Sequence, residues 1–171
     1  MRFLVCFRYR LVVLVLTTIA AFPVSAGDRV VGWVERVKVM ALGVTTKAKL
    51  DSGALTSSIH AADVKRFRRG QEKWVRFTVS LTDADTREVI TKTLERPFHR
   101  RVKLTGAGGV DHRLVVLMDI CIGKQVLREQ VSLSNRSDKN YGLLIGRRTL
   151  EHIGLLDVQK TFTLEPRCKS S

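Results

Sequence analysis

The chain is poor in aromatic residues, cysteine and proline, and it lacks the motifs of several large enzyme classes. Aromatic side chains make up 6% of its 171 residues, so aliphatic side chains must fill most of a core. The sequence has no HExxH and no CxxC, which leaves zinc binding without support from ligand spacing. It also has no GxxxxGK[ST] loop that would cradle a nucleotide phosphate. We therefore expect neither a metal site nor a cofactor.

The first 26 residues differ from the rest. Three arginines precede an apolar run of 11 residues from Leu11 to Ala21, and Pro23 ends the run. Short residues up to Ala26 are typical of a cleavage site. We predict a signal peptide over residues 1–26, one domain over residues 27–171, and a periplasmic or secreted protein. An uncleaved anchor is the alternative, although 11 residues are too few to span about 30 Å of hydrocarbon.

Basic residues outnumber acidic residues, 30 to 16. The predicted leader holds three of the basic residues and no acidic one, which leaves a net charge of +11 on residues 27–171. Such a charge favours acidic peptides or an anionic envelope surface as partners. Nucleic acid is not expected, because no RNA-binding motif is present and basic residues do not alternate with exposed aromatics. Solubility alone would also explain the charge.

Two cysteines, Cys121 and Cys168, follow the leader. In an oxidising compartment they could pair. Cys121 lies in the apolar stretch from Val115 to Ile122, where a buried free thiol is an equally good interpretation. The sequence leaves both possibilities open.

Short strand patterns predict an all-β fold, a small closed barrel with one short C-terminal helix. Trp74 to Leu81 alternates apolar and polar residues, and a partner strand follows over Arg87 to Leu94. Ser57 to Phe67 is predicted as a short helix or turn, and Thr149 to Ile153 as the C-terminal helix. The other predicted strands are Val30–Val34, Val37–Met40, Thr46–Leu50, Arg101–Leu104, His112–Ile120, Val126–Leu133, Leu143–Gly146, and a last strand or hairpin over Leu155–Val158 and Thr161–Leu164.

The segment Asp51-Ser52-Gly53-Ala54 carries the strongest chemical signal. A strand would deliver the Asp51 carboxylate into a turn, where the Ser52 hydroxyl can bond across the site. Gly53 has no side chain to hinder close approach of two such loops. Aspartic peptidases need this arrangement, although Asp-Ser-Gly is also ordinary turn chemistry.

Two later segments strengthen this interpretation. Leu144-Ile145-Gly146-Arg147, followed by Leu150, resembles the apolar segment and short helix near the end of retroviral proteases. The glycine-rich tip Gly106-Ala107-Gly108-Gly109 falls where those enzymes carry a flap. Three elements in the same order are more specific than any one of them.

The chain as a whole resembles a bacterial family of retropepsin-like proteins that are often labelled ATP-dependent zinc proteases. The resemblance implies a retropepsin-like fold and a peptidase role, with Asp51 as the catalytic carboxylate. It also implies that Ser52, Gly53, Ala54, Ile145 and Gly146 support the active-site loop. Some relatives are linked to ATP-grasp glutamate ligases and to trimming of glutamate-rich tails. The matching segments are Val31–Glu35, Ala48–Ala61, Trp74–Phe77, Arg101–Lys103, Leu133–Arg136 and Leu144–Arg147.

The sequence departs from the viral pattern at the residue after Ala54. Retroviral enzymes carry an acid there, which pairs with the arginine after the late glycine, whereas this chain has Leu55. Arg147 therefore needs another partner or an acidic substrate. With Arg101 and Lys103, which lead toward the flap, Arg147 is a candidate for substrate binding. An insertion around residues 66–96 has no counterpart in the viral enzymes and is not placed by the sequence.

One chain supplies one such aspartate, whereas aspartic peptidases use two carboxylates. We therefore predict a symmetric homodimer in which two Asp51 side chains activate one water. The predicted function is an exported aspartic endopeptidase whose favoured substrates are acidic peptides. The alternative is a non-catalytic periplasmic binding or adaptor module with the same fold and a basic cleft. His60 is predicted to be a structural hydrogen-bonding residue.

Overall fold

The computed structural model describes residues 29–106 and 109–169, and strands dominate this part of the chain, which confirms the all-β prediction. Its one helix among these residues, α1, is too short to cross a membrane. The predicted leader lies outside the described residues. The elements are β1 (Val30–Val39), β2 (Val44–Asp51), β3 (Ser57–Arg69), β4 (Glu72–Thr82), β5 (Val89–Pro97), β6 (Arg100–Gly106), β7 (Gly109–Ile122), β8 (Gln125–Ser134), β9 (Leu143–Gly146), α1 (Arg147–Leu150) and β10 (Leu155–Thr161).

The main sheet closes on itself. Its strands follow the order β10-β1-β2-β9-β3-β8-β7-β6, and a second pairing between β1 and β7 completes the closure. Aliphatic side chains fill the interior, as the low aromatic content predicts, and Phe77 is the one aromatic ring among the fully buried side chains of the described residues. Closure satisfies the backbone groups of the central strands and encloses the core between them.

The short strand β9 lies between β2 and β3, far from both in sequence. It is parallel to β2 and antiparallel to β3. Its residues Leu143 and Ile145 are fully buried. Both edges of β9 are paired, so its backbone groups are hydrogen-bonded within the sheet between the ends of β2 and β3.

The prediction of a helix or turn over Ser57–Phe67 is wrong, because this segment forms strand β3. Its first residues pair with β8 on one side and β9 on the other, and Ile59 is buried in the core. Its later residues pair with β4 after a register shift between Ala62 and Lys65. Alanine, lysine and arginine give the segment helical character locally, but these long-range pairings decide its conformation.

The insertion around residues 66–96 is a three-stranded arm. The outer half of β3 pairs with β4, and β4 pairs with β5. The alternation predicted for Trp74 to Leu81 is confirmed, since Val75, Phe77 and Val79 are fully buried. The arm therefore adds its inner face to the same core.

The C-terminal helix begins earlier than predicted. It covers Arg147–Leu150, whereas residues 151–153 form a turn. The shift has a structural cause: the N–H groups of Arg147 and Arg148 donate to the carbonyls of Ala54 (2.7 Å) and Leu55 (3.3 Å). The loop after Asp51 thus supplies acceptors for the N–H groups that open the helix.

β1 is one strand, where the sequence suggested two runs separated at Glu35. The Glu35 side chain is fully buried, and its carboxylate accepts hydrogen bonds from the N–H groups of Gly32 (2.6 Å), Thr163 (3.0 Å) and Leu164 (2.9 Å). A buried carboxylate needs such donors. Residues after Thr161 therefore bond to this side chain, and the predicted strand Thr161–Leu164 does not form.

Cys121 and Cys168 form a disulfide, so the interpretation of Cys121 as a free thiol is wrong. Their Cα atoms are 6.0 Å apart, and 47 positions separate them in the sequence. Cys121 is fully buried near the end of β7. The bond ties the C-terminal segment to the closed sheet.

We expect reduction of this disulfide to lower the free energy of unfolding by about 3 kcal/mol, because an uncrosslinked unfolded chain gains loop entropy. Urea unfolding with and without a thiol reductant measures the difference. The variant carrying Cys121→Ala and Cys168→Ala is the control, since its transition must not respond to reductant. Equal midpoints for reduced and oxidised wild-type protein would contradict the expectation.

Candidate active site

Asp51 is the last residue of β2 and lies where two adjacent parallel strands end. β2 pairs with β9 so that Asp51 is opposite Gly146. Ala48 and Leu50 point into the core, whereas Lys49 and Asp51 are half-buried on the opposite face. The strand end thus presents the carboxylate at the surface of the closed sheet.

Three backbone and side-chain groups stabilise the Asp51 carboxylate. Oδ1 accepts a hydrogen bond from the Gly53 N–H (3.0 Å), and Oδ2 lies 3.2 Å from Lys49 Nζ. Burial raises the pKa of Asp51, but the Lys49 ammonium and the N–H groups of Gly53 and Ala54 outweigh it and leave this pKa below its usual value. The Asp51 carboxylate of this chain is therefore ionised at neutral pH.

The loop after Asp51 is braced by the end of β9 and the start of α1. The Arg147 N–H donates to the Ala54 carbonyl (2.7 Å), and the Gly146 N–H donates to Ser57 Oγ (3.0 Å). A Cβ on Gly146 would lie 2.7 Å from the carbonyl carbon of Thr56, so only glycine fits. The loop backbone and β9 are therefore in direct contact.

A buried hydrogen-bond network behind this loop was not identified by sequence reasoning. Ser57 Oγ lies 3.0 Å from Thr149 Oγ1, which donates to Glu129 Oε2 (3.2 Å). Glu129 Oε1 lies 2.8 Å from His152 Nδ1, and Ser132 Oγ donates to the Ser57 carbonyl (3.0 Å). These residues lie on β3, on β8, on α1 and in the turn that follows α1, and no local pattern connects them. The one available signal was the presence of polar residues inside otherwise apolar strands.

Two adjoining cavities lie on the Lys49 side of the site, and Asp51 itself lines neither of them. One, of about 450 Å³, is lined by Trp33, Lys49 and Leu144 together with four residues that it shares with its neighbour. The other, of about 570 Å³, extends toward the turn between β4 and β5, and its basic residues include Lys47 and Arg87. The four shared lining residues are Arg136, Lys139, Asn140 and Tyr141.

Arg136 is fixed in place between the two cavities. Its guanidinium donates to Ser58 Oγ (2.9 Å) and the Tyr141 carbonyl (3.0 Å), and its N–H donates to His60 Nδ1 (2.9 Å). His60 thus makes the kind of structural hydrogen bond that the sequence predicted. Burial lowers the pKa of Arg136, as does Arg113, against the opposing effect of Asp138 and Asp51. Its charge therefore contributes to the potential at Asp51.

The family model described as RimB-like, retropepsin-like aspartic endopeptidase RimB, matches residues 30–167. This match covers the closed sheet, the Asp51 loop and the segment that braces it. The chain belongs to the RimB-like family. The assignment confirms the sequence resemblance and the retropepsin-like fold.

A solved structure supports the same fold. The Legionella pneumophila protein Lpg0085, described as a protein with unknown function, is similar to this chain with a TM-score of 0.67 and 28% sequence identity. The match covers 80% of this chain and 98% of that one. The RimB-like fold therefore occurs in that protein over nearly its whole length.

Curated relatives are longer proteins. A protein of Shewanella halifaxensis named "Probable alpha-L-glutamate ligase" is 32% identical over 136 residues, which are 79% of this chain and 30% of that protein. A protein of the same name from Desulfotalea psychrophila is 33% identical over 124 residues, 71% of this chain and 26% of that protein. The RimB-like chain thus spans less than a third of the length of these relatives.

The other predicted loop residues lie together around Asp51. Ser52 and Gly53 are exposed, Ala54 is half-buried, and Ile145 is fully buried behind the loop. Arg147 finds a partner in the protein itself, since its Nη1 donates to the Ser52 carbonyl (3.3 Å). In the viral pattern this arginine pairs with an acidic side chain. In this RimB-like chain it donates a hydrogen bond to a backbone carbonyl instead.

The strands on both sides of the predicted flap are β6 and β7, which pair at the edge of the main sheet. Gly106 pairs with Gly109 where β6 ends and β7 begins, and Ala107 and Gly108 lie outside the described residues. Arg101 and Lys103 are exposed on the edge strand β6. Neither makes a side-chain hydrogen bond or ion pair among the described residues, so they are not joined to the Asp51 loop.

Zinc does not fit the described residues of this RimB-like chain. Across 29–106 and 109–169, no three His, Cys, Asp or Glu side chains converge as a metal site would require. His99, His112 and His152 are exposed and belong to different elements.

Proposed function

We propose that this chain is an aspartic endopeptidase that acts as a homodimer, with Asp51 of each protomer at one shared site. The observation that carries the proposal is the position of Asp51: it ends a core strand, precedes a serine and a glycine, and is braced by β9. Membership of the RimB-like family supports it. One protomer contributes one such carboxylate, so a second copy completes the pair.

In this mechanism the two Asp51 carboxyl groups share one proton, since like charges about 3 Å apart do not both ionise readily. The ionised member removes a proton from a water, and the water oxygen attacks the peptide carbonyl carbon. The protonated member donates its proton to the carbonyl oxygen. Collapse of the tetrahedral intermediate returns a proton to the amide nitrogen, breaks the C–N bond and releases an acid and an amine.

Exposed apolar side chains support association with a second copy. Leu55, which directly follows the Asp51 loop, is 46% exposed. The edge strand β10 exposes Leu155 (58%) and Val158 (73%), and β10 pairs only with β1 among the described strands. A free strand edge with apolar side chains is suited to association with another chain.

The charge of the cavities supports a preference for acidic peptides. Lys47, Arg87, Arg136 and Lys139 line the larger of these two cavities, against the carboxylate of Asp83 in its lining and that of Asp138, which pairs with Lys139 at 2.8 Å. Lys49 adds a further cation next to the proposed catalytic group. The curated relatives are named as glutamate ligases, so their named chemistry also concerns an acidic residue.

We expect purified protein to cleave acidic peptides ten to a hundred times faster than matched basic peptides at low ionic strength. The ratio corresponds to about 1.5–3 kcal/mol for hydrogen bonds to charged groups. Cleavage should need no nucleotide, persist in EDTA and lose this preference as salt rises, because salt screens the exposed part of the interaction. The measurement is kcat/KM for acidic, neutral and basic versions of one peptide.

Lys139→Gln should reduce this preference, whereas Lys73→Gln is the matched control. Lys73 is on β4, the same strand as the cavity residue Ser80. It lies about 23 Å from Ser80, because each of the residues between them adds about 3.3 Å along the strand. Equal rates on all three peptides, unaffected by salt, would assign the charge to solubility or to contact with an anionic envelope surface.

We also propose that the protein is exported and matures by cleavage near Ala26. The Cys121–Cys168 disulfide supports this, because such bonds persist in oxidising compartments and are rare in reducing ones. The leader composition supports it independently.

A further inference from the structure

Lys49 lies beside the proposed catalytic carboxylate but is not part of the Asp51-Ser52-Gly53 segment. Alternate residues of a strand project to the same face, so Lys49 and Asp51 share the half-buried face of β2. Lys49 Nζ lies 3.2 Å from Asp51 Oδ2, and the two side chains are 43% and 27% exposed. The Lys49 ammonium group is therefore in direct contact with the carboxylate whose protonation the proposed mechanism requires.

Cationic side chains near Asp51 and its loop come from four parts of the chain: Lys49 is on β2, Arg100 is on β6, Arg136 follows β8, and Arg147 and Arg148 open α1. Arg100 donates to Thr56 Oγ1 (3.0 Å) and to Gln130 Oε1 (2.7 Å), and Arg148 Nη1 donates to the same Gln130 oxygen (3.2 Å). The guanidinium groups of Arg136 and Arg147 are engaged by protein oxygens at Ser58, Tyr141 and Ser52, whereas Lys49 Nζ bonds to the Asp51 carboxylate itself. The loop over residues 52–56 and β9 carry no ionisable side chain. Lys49 is thus the cation in direct contact with the reacting group.

We propose that Lys49 is a positioning residue that sets the pH range in which the Asp51 pair is active. The inference rests on the proposed function, because it concerns the carboxylate pair of the homodimer. An aspartic peptidase is active between the two macroscopic proton dissociations of its pair, when the pair holds one proton. A cation beside each carboxylate stabilises the ionised forms, so it moves both dissociations, and with them both limbs of the pH profile, to lower pH.

Removal of the Lys49 ammonium group should therefore shift both limbs of the pH profile in one direction, to higher pH. We expect Lys49→Met to move both limbs of the kcat/KM profile to higher pH by about one unit, as expected for loss of an opposite charge in contact with a carboxylate. Lys49→Arg keeps a cation and should leave both limbs near their wild-type positions. A residue with only a packing role would change the height of the profile or the stability, but not the position of its limbs.

The matched control is Lys47→Met. Lys47 is on the same strand and the same face, two residues earlier, and its Nζ lies 5.5 Å from the centre of the Phe162 ring. Its replacement removes the same charge. Because Lys47 lines the larger cavity, we expect Lys47→Met to change the height of the profile on an acidic peptide but not the position of its limbs. Unchanged limbs in Lys49→Met, or equal shifts in Lys49→Met and Lys49→Arg, would overturn the proposal.

A second readout separates this proposal from the proposed function. Carbon-13 NMR of the side-chain carboxyl groups reports the titration of Asp51 in the folded protein, whether or not it cleaves peptide. We expect Lys49→Met, and not Lys47→Met, to raise the midpoint of the Asp51 signal. A raised midpoint in protein without peptidase activity would refute the function while leaving the Lys49–Asp51 coupling. An unchanged midpoint in active protein would refute the coupling alone.

Discussion

Replacement of Asp51 by asparagine is expected to lower kcat/KM for peptide cleavage by a factor on the order of 10³ or more, with little loss of fold. Asparagine has nearly the same shape, and its amide oxygen can still accept the hydrogen bond from the Gly53 N–H. It cannot ionise, so it can neither take a proton from water nor share one with a partner carboxylate. The measurement is kcat/KM on an acidic peptide.

Asp63→Asn is the control for this experiment. Asp63 is exposed on β3 and has a φ of 50°, a conformation that asparagine tolerates. Its replacement should leave activity unchanged. A wild-type value of kcat/KM for Asp51→Asn would contradict the proposed mechanism. Peptide binding without cleavage by the wild-type protein would favour the binding-module alternative.

Mixed dimers extend the same experiment to the oligomeric state. If activity needs two Asp51 carboxyl groups, co-refolding equal amounts of wild-type and Asp51→Asn chains should give about a quarter of the homodimeric wild-type activity, because random pairing leaves a quarter of dimers intact. The same mixture with Asp63→Asn should lose no activity. A fall to only half of the wild-type activity would mean that each chain works independently.

Gly146→Ala is expected to lower the free energy of unfolding by about 4 kcal/mol or more, an exceptional value for a single methyl group. The new Cβ would lie 2.7 Å from the Thr56 carbonyl carbon, 2.9 Å from the Ala54 oxygen and 2.9 Å from the Ser57 nitrogen. All three atoms are backbone, so no side-chain rotation relieves the contacts. The loop after Asp51 must move away from β9, and its hydrogen bonds to the start of α1 must lengthen.

Gly142→Ala is the matched control for Gly146→Ala. A Cβ there would also meet an atom at 2.8 Å, but that atom is Cδ2 at the flexible end of Leu81. We expect a loss of about 1–2 kcal/mol, since Leu81 is buried in the core but borders a cavity into which its side chain can shift. Urea unfolding of both variants measures the contrast. A Gly146→Ala midpoint close to that of Gly142→Ala would show that the loop relaxes without difficulty.

Local sequence determined much of the fold and the centre of the candidate site. The alternation from Trp74 to Leu81 predicts a strand because residues two apart share a face, and the structure confirms it. The Asp51 segment and the late Leu144–Arg147 segment each carry their turn and strand signals within a few residues, so the family resemblance could be found from them. The Lys49–Asp51 contact had the same kind of signal, two positions apart on one strand, and sequence reasoning missed it.

Tertiary structure alone decided the features that depend on partners far along the chain. Ser57–Phe67 carries helix-favouring residues, yet it is a strand because β8 and β9 bond to both of its edges. Glu35 is a charged residue between two apolar runs, so local sequence indicates a break in the strand there. The N–H groups of Thr163 and Leu164 donate to its carboxylate, which allows Glu35 to be buried within a continuous β1. Cys121 pairs with Cys168 because folding brings together positions 47 residues apart. A local pattern reports what one segment favours, whereas pairing, burial and crosslinking depend on which groups the closed sheet places opposite it.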